Sequence, residues 1–341
     1  MQGNKVATGS LVIIVIFIGG LVLRLAKPVL FPFFLAIFLS FVLYPVLDFL
    51  TRLKIPKAIS IVFILIIAFF IIYLLGVIFY SSGKSFASEF QENYSHKINS
   101  ILASLQEKFK LSGLEKNPLD WVGQLDIGRI GSFLLSSLGT FISFISNLFL
   151  IFIFLVFILA GRGKTKAKIE NSFSDKRGSK IIDVIQNIDS QIQKYLAIKT
   201  VVSFFTGVMT TLVLMIFGVD FAIAFGFLTF LLNYIPNIGS IIATAFPLII
   251  AVFQFENLWP AFWILVILSA IQMTMGNFVE PRLMGKGLGL SPLVVLFSLF
   301  FWGWLWGLPG MILAVPIVAI IKIVCNNIPS FQFVAALMSK E

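Results

Sequence analysis

The sequence predicts an all-α polytopic membrane protein with about six spanning helices, two broken or re-entrant helical hairpins and a small extracytoplasmic helical insertion. Three observations lead there. Of 341 residues, 59% are hydrophobic and only 12% charged, with 39 Phe, which leaves too little polar surface for a water-facing shell. Several apolar runs reach the roughly 20 residues that cross a hydrocarbon core. In the last third, two long apolar segments are each interrupted by Pro, Gly and Asn, and broken backbone at membrane depth survives only where protein or a water-filled cavity satisfies its freed groups.

Residues 1–80 read as a three-span bundle, with apolar runs Leu11 to Leu23, Val29 to Leu47 and Ala58 to Tyr80. Lys5 before the first run resembles the start of a secretory signal, but no small-residue cleavage site follows. Arg24, Lys27, Pro28 and a second apolar run come instead, so the first two runs are expected to form a tight hairpin of spans. Residues 81–135 are expected to form an extracytoplasmic insertion. There Phe86, Phe90, Tyr94, Ile98, Ile101, Leu105 and Phe109 recur at spacings of three or four, an amphipathic helix whose apolar face must pack on something. Residues 136–160 are the fourth span and 161–199 a basic connector, in which Ile181, Ile185, Ile188, Ile192 and Tyr195 make a similar stripe. Residues 200–325 form the expected transport core: a fifth span from Thr200 to Phe217, a broken hairpin over 221–253, a sixth span from Leu258 to Asn277 and a second broken hairpin over 292–325. Residues 326–341 are a cytoplasmic tail.

Short loops rich in Lys and Arg stay on the cytoplasmic side. Arg52, Lys54 and Lys57 follow the second span, and residues 161–199 carry nine Lys or Arg against four Asp or Glu; both belong inside. Residues 81–132 balance six against six and belong outside, with both termini cytoplasmic. Arg24 and Lys27 fall outside on this scheme, which snorkelling at a span end accommodates.

The first interruption is Asn233-Tyr234-Ile235-Pro236-Asn237-Ile238-Gly239, between Phe221 to Ile235 and Ile238 to Phe253. The second is Gly307-Leu308-Pro309-Gly310, between Pro292 to Trp306 and Met311 to Cys325. Each arm of about fifteen residues rises only about 22 to 24 Å, short of the hydrocarbon thickness. Either the two segments dip in from opposite faces as re-entrant hairpins, the arrangement from which secondary transporters build a substrate pathway, or each is one kinked or tilted span.

At the first break Asn233, Asn237 and Ser240 surround Pro236 and Gly239, offering amide and hydroxyl groups beside unwound carbonyls. A neutral polyol or a dehydrated sodium ion would use the same oxygens. Glu280 is a carboxylate near membrane depth and so a functional candidate, or else it closes an ion pair with Arg282 or Lys286. Asn277 lies within the same motif, whereas Asp220 beside Gly218 reads as a solvated turn residue. Gly285, Gly287 and Gly289 read as a hinge before the second hairpin, whose tip Gly307, Pro309 and Gly310 shape. Their spacing matches neither a dinucleotide fingerprint nor a phosphate loop. The single cysteine, Cys325, excludes a disulfide framework and a Cys-based zinc or iron-sulfur site. His96 stands without a second metal-ligating partner, and no His-Glu-x-x-His pair or Gly-x-Ser-x-Gly elbow is present, so neither enzyme chemistry, a metal nor a cofactor is expected. The basic run after Gly161 abuts a span and reads as a topology anchor, not a nucleic-acid patch.

Three stretches carry a resemblance to the autoinducer-2 exporter family. They are Asn233-Tyr234-Ile235-Pro236-Asn237-Ile238-Gly239-Ser240; Gly276-Asn277 with Glu280-Pro281-Arg282, Met284-Gly285, Leu288-Gly289 and Ser291; and Trp302-Gly303-Trp304-Leu305 with Gly307, Gly310-Met311 and Val315-Pro316. Asn237 and Ser240 stand where many members have an aromatic residue and a second proline, and this version resembles the exporter type itself. The resemblance implies a bacterial inner-membrane secondary transporter, a homo-oligomer in the lipid bilayer. It implies export of a small polar signal derived from dihydroxypentanedione, with sodium or protons as possible coupling ions. Some relatives are sodium or lithium/proton antiporters.

Overall fold

The computed structural model describes residues 14–15, 18–89, 148–161, 176–285 and 287–340. Among these the regular elements are helices, with an isolated antiparallel bridge between Leu290 and Ser339. Residues 11–13 and 16–17 of the first apolar run, the insertion from Phe90 on, the first half of the fourth span and residues 162–175 of the connector lie outside the described residues. Among the described residues, five helices are long and apolar enough to cross a membrane: Lys27–Arg52, Lys57–Ile78, Ile182–Ile216, Leu258–Met284 and Leu308–Asn327. By internal contacts the chain divides into two units. One draws on Met1–Ile66, Asn147–Thr200 and Pro281–Glu341, the other on Ile67–Ser146 and Val201–Glu280. The first broken segment belongs to the second of these units and the second broken segment to the first.

In the first unit, α1 (residues 18–25) leads into α2 (Lys27–Arg52) without the tight reversal expected at Arg24 to Pro28. Ala26 keeps near-helical dihedrals (φ −79, ψ 2), its N–H donates to the Val22 carbonyl, and its own carbonyl accepts from Leu30. Pro28 lies in the first turn of α2, where its missing N–H breaks no bond, so the chain kinks and continues. After α2, Lys54 takes a positive φ of 63 and the chain turns into α3 (Lys57–Glu89), which runs nine residues past the expected span end at Tyr80. The Lys57 ammonium donates to the Ala160 carbonyl at the end of α4 (Leu148–Gly161) (3.1 Å). A cation there suits the negative end of the helix dipole.

From Lys176 on, the connector and the fifth span are one continuous helix, α5 (Lys176–Ile216), because no Pro or Gly interrupts the passage from the Ile stripe into the apolar run. In the second unit α5 packs with α6 (Ala222–Leu232), α7 (Ile238–Gln254) and α8 (Leu258–Thr274). Leu214, Val219, Ala222, Ile250, Ala251, Ala261, Ile264, Leu268 and Ile271 make its core. The sixth span also outruns its expected end at Asn277. A π-turn over Met275–Val279 carries it into α9 (Glu280–Met284).

The second hairpin consists of α10 (Pro292–Trp306) and α11 (Leu308–Asn327). Only Gly307, at φ 78 and ψ −155, leaves helical geometry. Leu308, Pro309 and Gly310, expected in the break, form the first turn of α11, since proline at a helix start is preorganised for it. The 20 residues of α11 rise about 30 Å, so this arm is longer than the expected fifteen residues and is long and apolar enough to cross a membrane. A 3₁₀ turn (Pro329–Phe331) and α12 (Gln332–Leu337) complete the tail.

Candidate functional site

The first break is built by two short helices that close at their base. The 11 residues of α6 and 17 of α7 rise about 16 and 26 Å. The Gln254 amide at the end of α7 donates to the Gly218 carbonyl (2.7 Å) and accepts from the Asp220 N–H (2.9 Å). Entry and exit thus lie on the same side, and Asp220 serves that closure through its backbone.

At the tip, Asn233, Tyr234 and Ile235 extend α6 with N–H donation to the carbonyls of Thr229, Leu231 and Leu232. Ile238 N–H then donates to the Pro236 carbonyl (2.7 Å) across Asn237, which sits at φ 61 and ψ −54. This is a γ-turn of the positive-φ form, a strained conformation for a residue with a Cβ. Gly239 is buried so tightly that a Cβ there would collide with the Leu232 carbonyl oxygen, which explains glycine beside the turn. Pro236 and Ser240 are half-buried and Asn237 is exposed; the Ser240 hydroxyl donates to the Asn237 carbonyl (2.9 Å).

Asn233 behaves differently from Asn237. It is buried, and its amide nitrogen donates to the Ser203 hydroxyl on α5 (3.1 Å). Ser203, Thr206 and Thr210 are buried on α5, and Thr229, one helical turn before Asn233, is fully buried with a hydroxyl that has no hydrogen-bond partner among the described residues. Such a group is costly unless something satisfies it. The helices approach closely at Gly207 and Gly226, where a Cβ on either would come within 2.7 Å of the other's carbonyl oxygen. The structure therefore joins Asn233 to a hydroxyl stripe on α5, and separates it from Asn237 and Ser240. Sequence reasoning missed Ser203, Thr206, Thr210 and Thr229. Their spacing of three or four along α5, and the four-residue step from Thr229 to Asn233, was the available signal.

Asn277 lies exposed on the π-turn, and Glu280 N–H donates to the Met275 carbonyl five residues back, setting the half-buried Glu280 at the start of α9. Arg282 is exposed. π-turns inside α-helices recur at functional sites, and this one coincides with the Gly276-Asn277 motif. Gly285, Gly287 and Gly289 all take positive φ (62, 55 and 59), which accounts for glycine at each.

The second break is aromatic. Trp306 is almost fully buried, stacks obliquely on Trp302 (4.8 Å between centroids) and Phe34 (5.4 Å), meets Phe31 edge-on (6.4 Å), and donates through Nε1 to the Leu23 carbonyl (3.4 Å). The Arg24 guanidinium lies 5.6 Å from the centre of the Trp304 ring, a cation–π contact. A Cβ on Gly310 would collide with the Trp302 carbonyl oxygen, the counterpart of Gly239 against Leu232. Among the described residues no cluster of His, Cys, Asp and Glu could hold a metal.

The family model for AI-2E family transporters matches residues 11–330. A transport protein of Borreliella burgdorferi is 33% identical over 93% of this chain and 86% of its own. The AI-2 transport protein TqsA of Escherichia coli is 32% identical over 96% of this chain and 95% of its own. A transport protein of Haemophilus influenzae is 33% identical over 99% and 98%. With the all-helical architecture and the two broken segments, these matches identify the chain as a member of the AI-2E transporter family.

Proposed function

We propose that this protein is a secondary transporter that exports a small polar signal, autoinducer-2, by alternating access in which the two broken hairpins move. The observation that carries the reading is the buried polar group at the end of the short helix α6: the Asn233 amide on Ser203, with the unpartnered Thr229 hydroxyl one turn away. Hydroxyl and amide groups without a fixed charge suit a neutral polyhydroxylated solute. Likeness to the Escherichia coli protein supports the signal as substrate. The basic residues around Lys57 and Gly161 support placing that end of the chain in the cytoplasm, and the signal's own gradient would carry it outward. Glu280, beside the π-turn, is the ionisable group proposed to couple transport to protons.

A second reading, a sodium/proton antiporter, draws on the same neutral oxygens and on the negative helix end at Asn233. Proteoliposomes carrying a pH dye separate the two. On the export reading, autoinducer-2 crosses and a sodium gradient moves no protons. Proton movement driven by sodium, indifferent to the signal and abolished by Glu280→Gln, would establish the antiporter instead.

A further inference from the structure

The base of the α10–α11 hairpin is held from two directions. Lys322 on α11 reaches across and donates through Nζ to the carbonyls of Leu288 (3.2 Å) and Gly289 (2.6 Å). The end of the chain arrives from the other side: Lys340 N–H donates to the Gly289 carbonyl (2.9 Å) and Ser291 N–H to the Met338 carbonyl (2.9 Å), which makes Leu290 and Ser339 an antiparallel bridge. The Gly289 carbonyl accepts from both holders at once. Its residue can turn that way only because φ is 59 and the nearest atom to a Cβ would be the Lys322 ammonium itself, 3.0 Å away.

We propose that Lys322 and the terminal strand Met338–Lys340 are positioning groups for transport: they fix Leu288–Ser291 in one state of the cycle, and the bridge opens in the other. This rests on the alternating-access reading above. A two-bond bridge, with no neighbouring strand among the described residues to extend it, is the kind of contact that opens well below global unfolding. The lysine adds a charge-assisted pair of bonds to the Leu288 and Gly289 carbonyls, and because the Gly289 carbonyl also accepts from Lys340, the two holders meet at one atom and are lost together.

The geometry supplies its own test. Leu290 and Ser339 are the non-hydrogen-bonded pair of the bridge, since the bonds come from their flanking residues. Such pairs stand about 4.5 Å apart at Cα, within the range a disulfide spans. In full-length protein carrying Cys325→Ser, the pair Leu290→Cys and Ser339→Cys is expected to cross-link under mild oxidation, lowering flux of autoinducer-2 or sodium-driven proton movement at least tenfold. Dithiothreitol should restore it. Lys322→Met is expected to raise hydrogen exchange at the Ser291 amide at least tenfold, and Lys322→Arg to bring it back. Failure to cross-link, or a cross-link that leaves flux unchanged, overturns the proposal, as does unchanged exchange in Lys322→Met. Should the uncross-linked protein carry neither probe, the transport reading falls, and exchange alone then decides whether Lys322 and the tail hold this segment.

Discussion

Two glycines of the second hairpin, seven residues apart, should respond to the same substitution in opposite ways. At Gly310 an added Cβ would meet backbone: it would collide with the Trp302 carbonyl oxygen and lie 2.9 Å from that carbonyl's carbon and 3.0 Å from the Trp306 Cβ. Neither neighbour can rotate away, so α10 and α11 must separate around a buried tryptophan. Overpacking of this kind costs about 1–3 kcal/mol, occasionally more, against about 1 kcal/mol recovered from the better helix propensity of alanine. At Gly303 the Cβ would instead meet the end of the Met311 side chain, with Cε at 2.5 Å and Cγ at 3.0 Å. A thioether with three rotatable bonds repacks, and a rotamer change of about 1 kcal/mol roughly cancels the propensity gain. Gly310→Ala is therefore expected to be less stable than Gly303→Ala by up to about 2 kcal/mol, a fall of a few degrees in thermal unfolding in lipid nanodiscs. Equal melting of the two variants would refute the argument that backbone contact sets the spacing of this hairpin.

Other expectations follow from the first hairpin and the aromatic wall. Asn237→Gly should relieve the positive φ and raise thermal stability by about 1 kcal/mol, while Asn237→Val should lower it; a melting series reads both. A double-mutant cycle of Ser203→Ala and Asn233→Ala should give a coupling of about 0.6 and at most about 1.7 kcal/mol, with each single variant losing flux. Trp306→Ala should cost about 3–5 kcal/mol, whereas Trp306→Phe keeps a ring against Phe34 and loses only the long bond to Leu23, about 1 kcal/mol. Chemical unfolding compares them.

Composition and apolar run length made the helical membrane class legible, and Pro, Gly and Asn within apolar runs located both breaks. The finer outcomes depended on competitions that composition does not display. Leu308-Pro309-Gly310 looks like a break, yet Pro309 is equally suited to a helix start, and only the packing of Gly310 on Trp302 decides between them. Arg24 to Pro28 looks like a turn between spans, yet polar side chains leave a helical backbone intact. The π-turn at Met275–Val279 differs from an α-turn by one residue of register and leaves no compositional mark. Asn233 was recognisable from its motif, but its partner Ser203 lies 30 residues upstream, and pairing across that distance is a property of how α5 meets α6.

Where Gly207 meets Gly226, the space a Cβ would need is taken by the carbonyl oxygen of the facing glycine and, at Gly226, by the Thr211 hydroxyl, and the main-chain part of that contact has no rotamers. Elsewhere in a protein interior a gap between helices can breathe as side chains hop between wells, and a small ligand can slip in through such fluctuations. A spacer made of backbone has no such freedom. The width available around Ser203, Thr229 and Asn233 is consequently fixed as long as that contact stands, and it changes only when one helix moves bodily against the other. On the proposed reading of this stripe as the pathway, its occupancy would require a whole-helix displacement rather than local loosening.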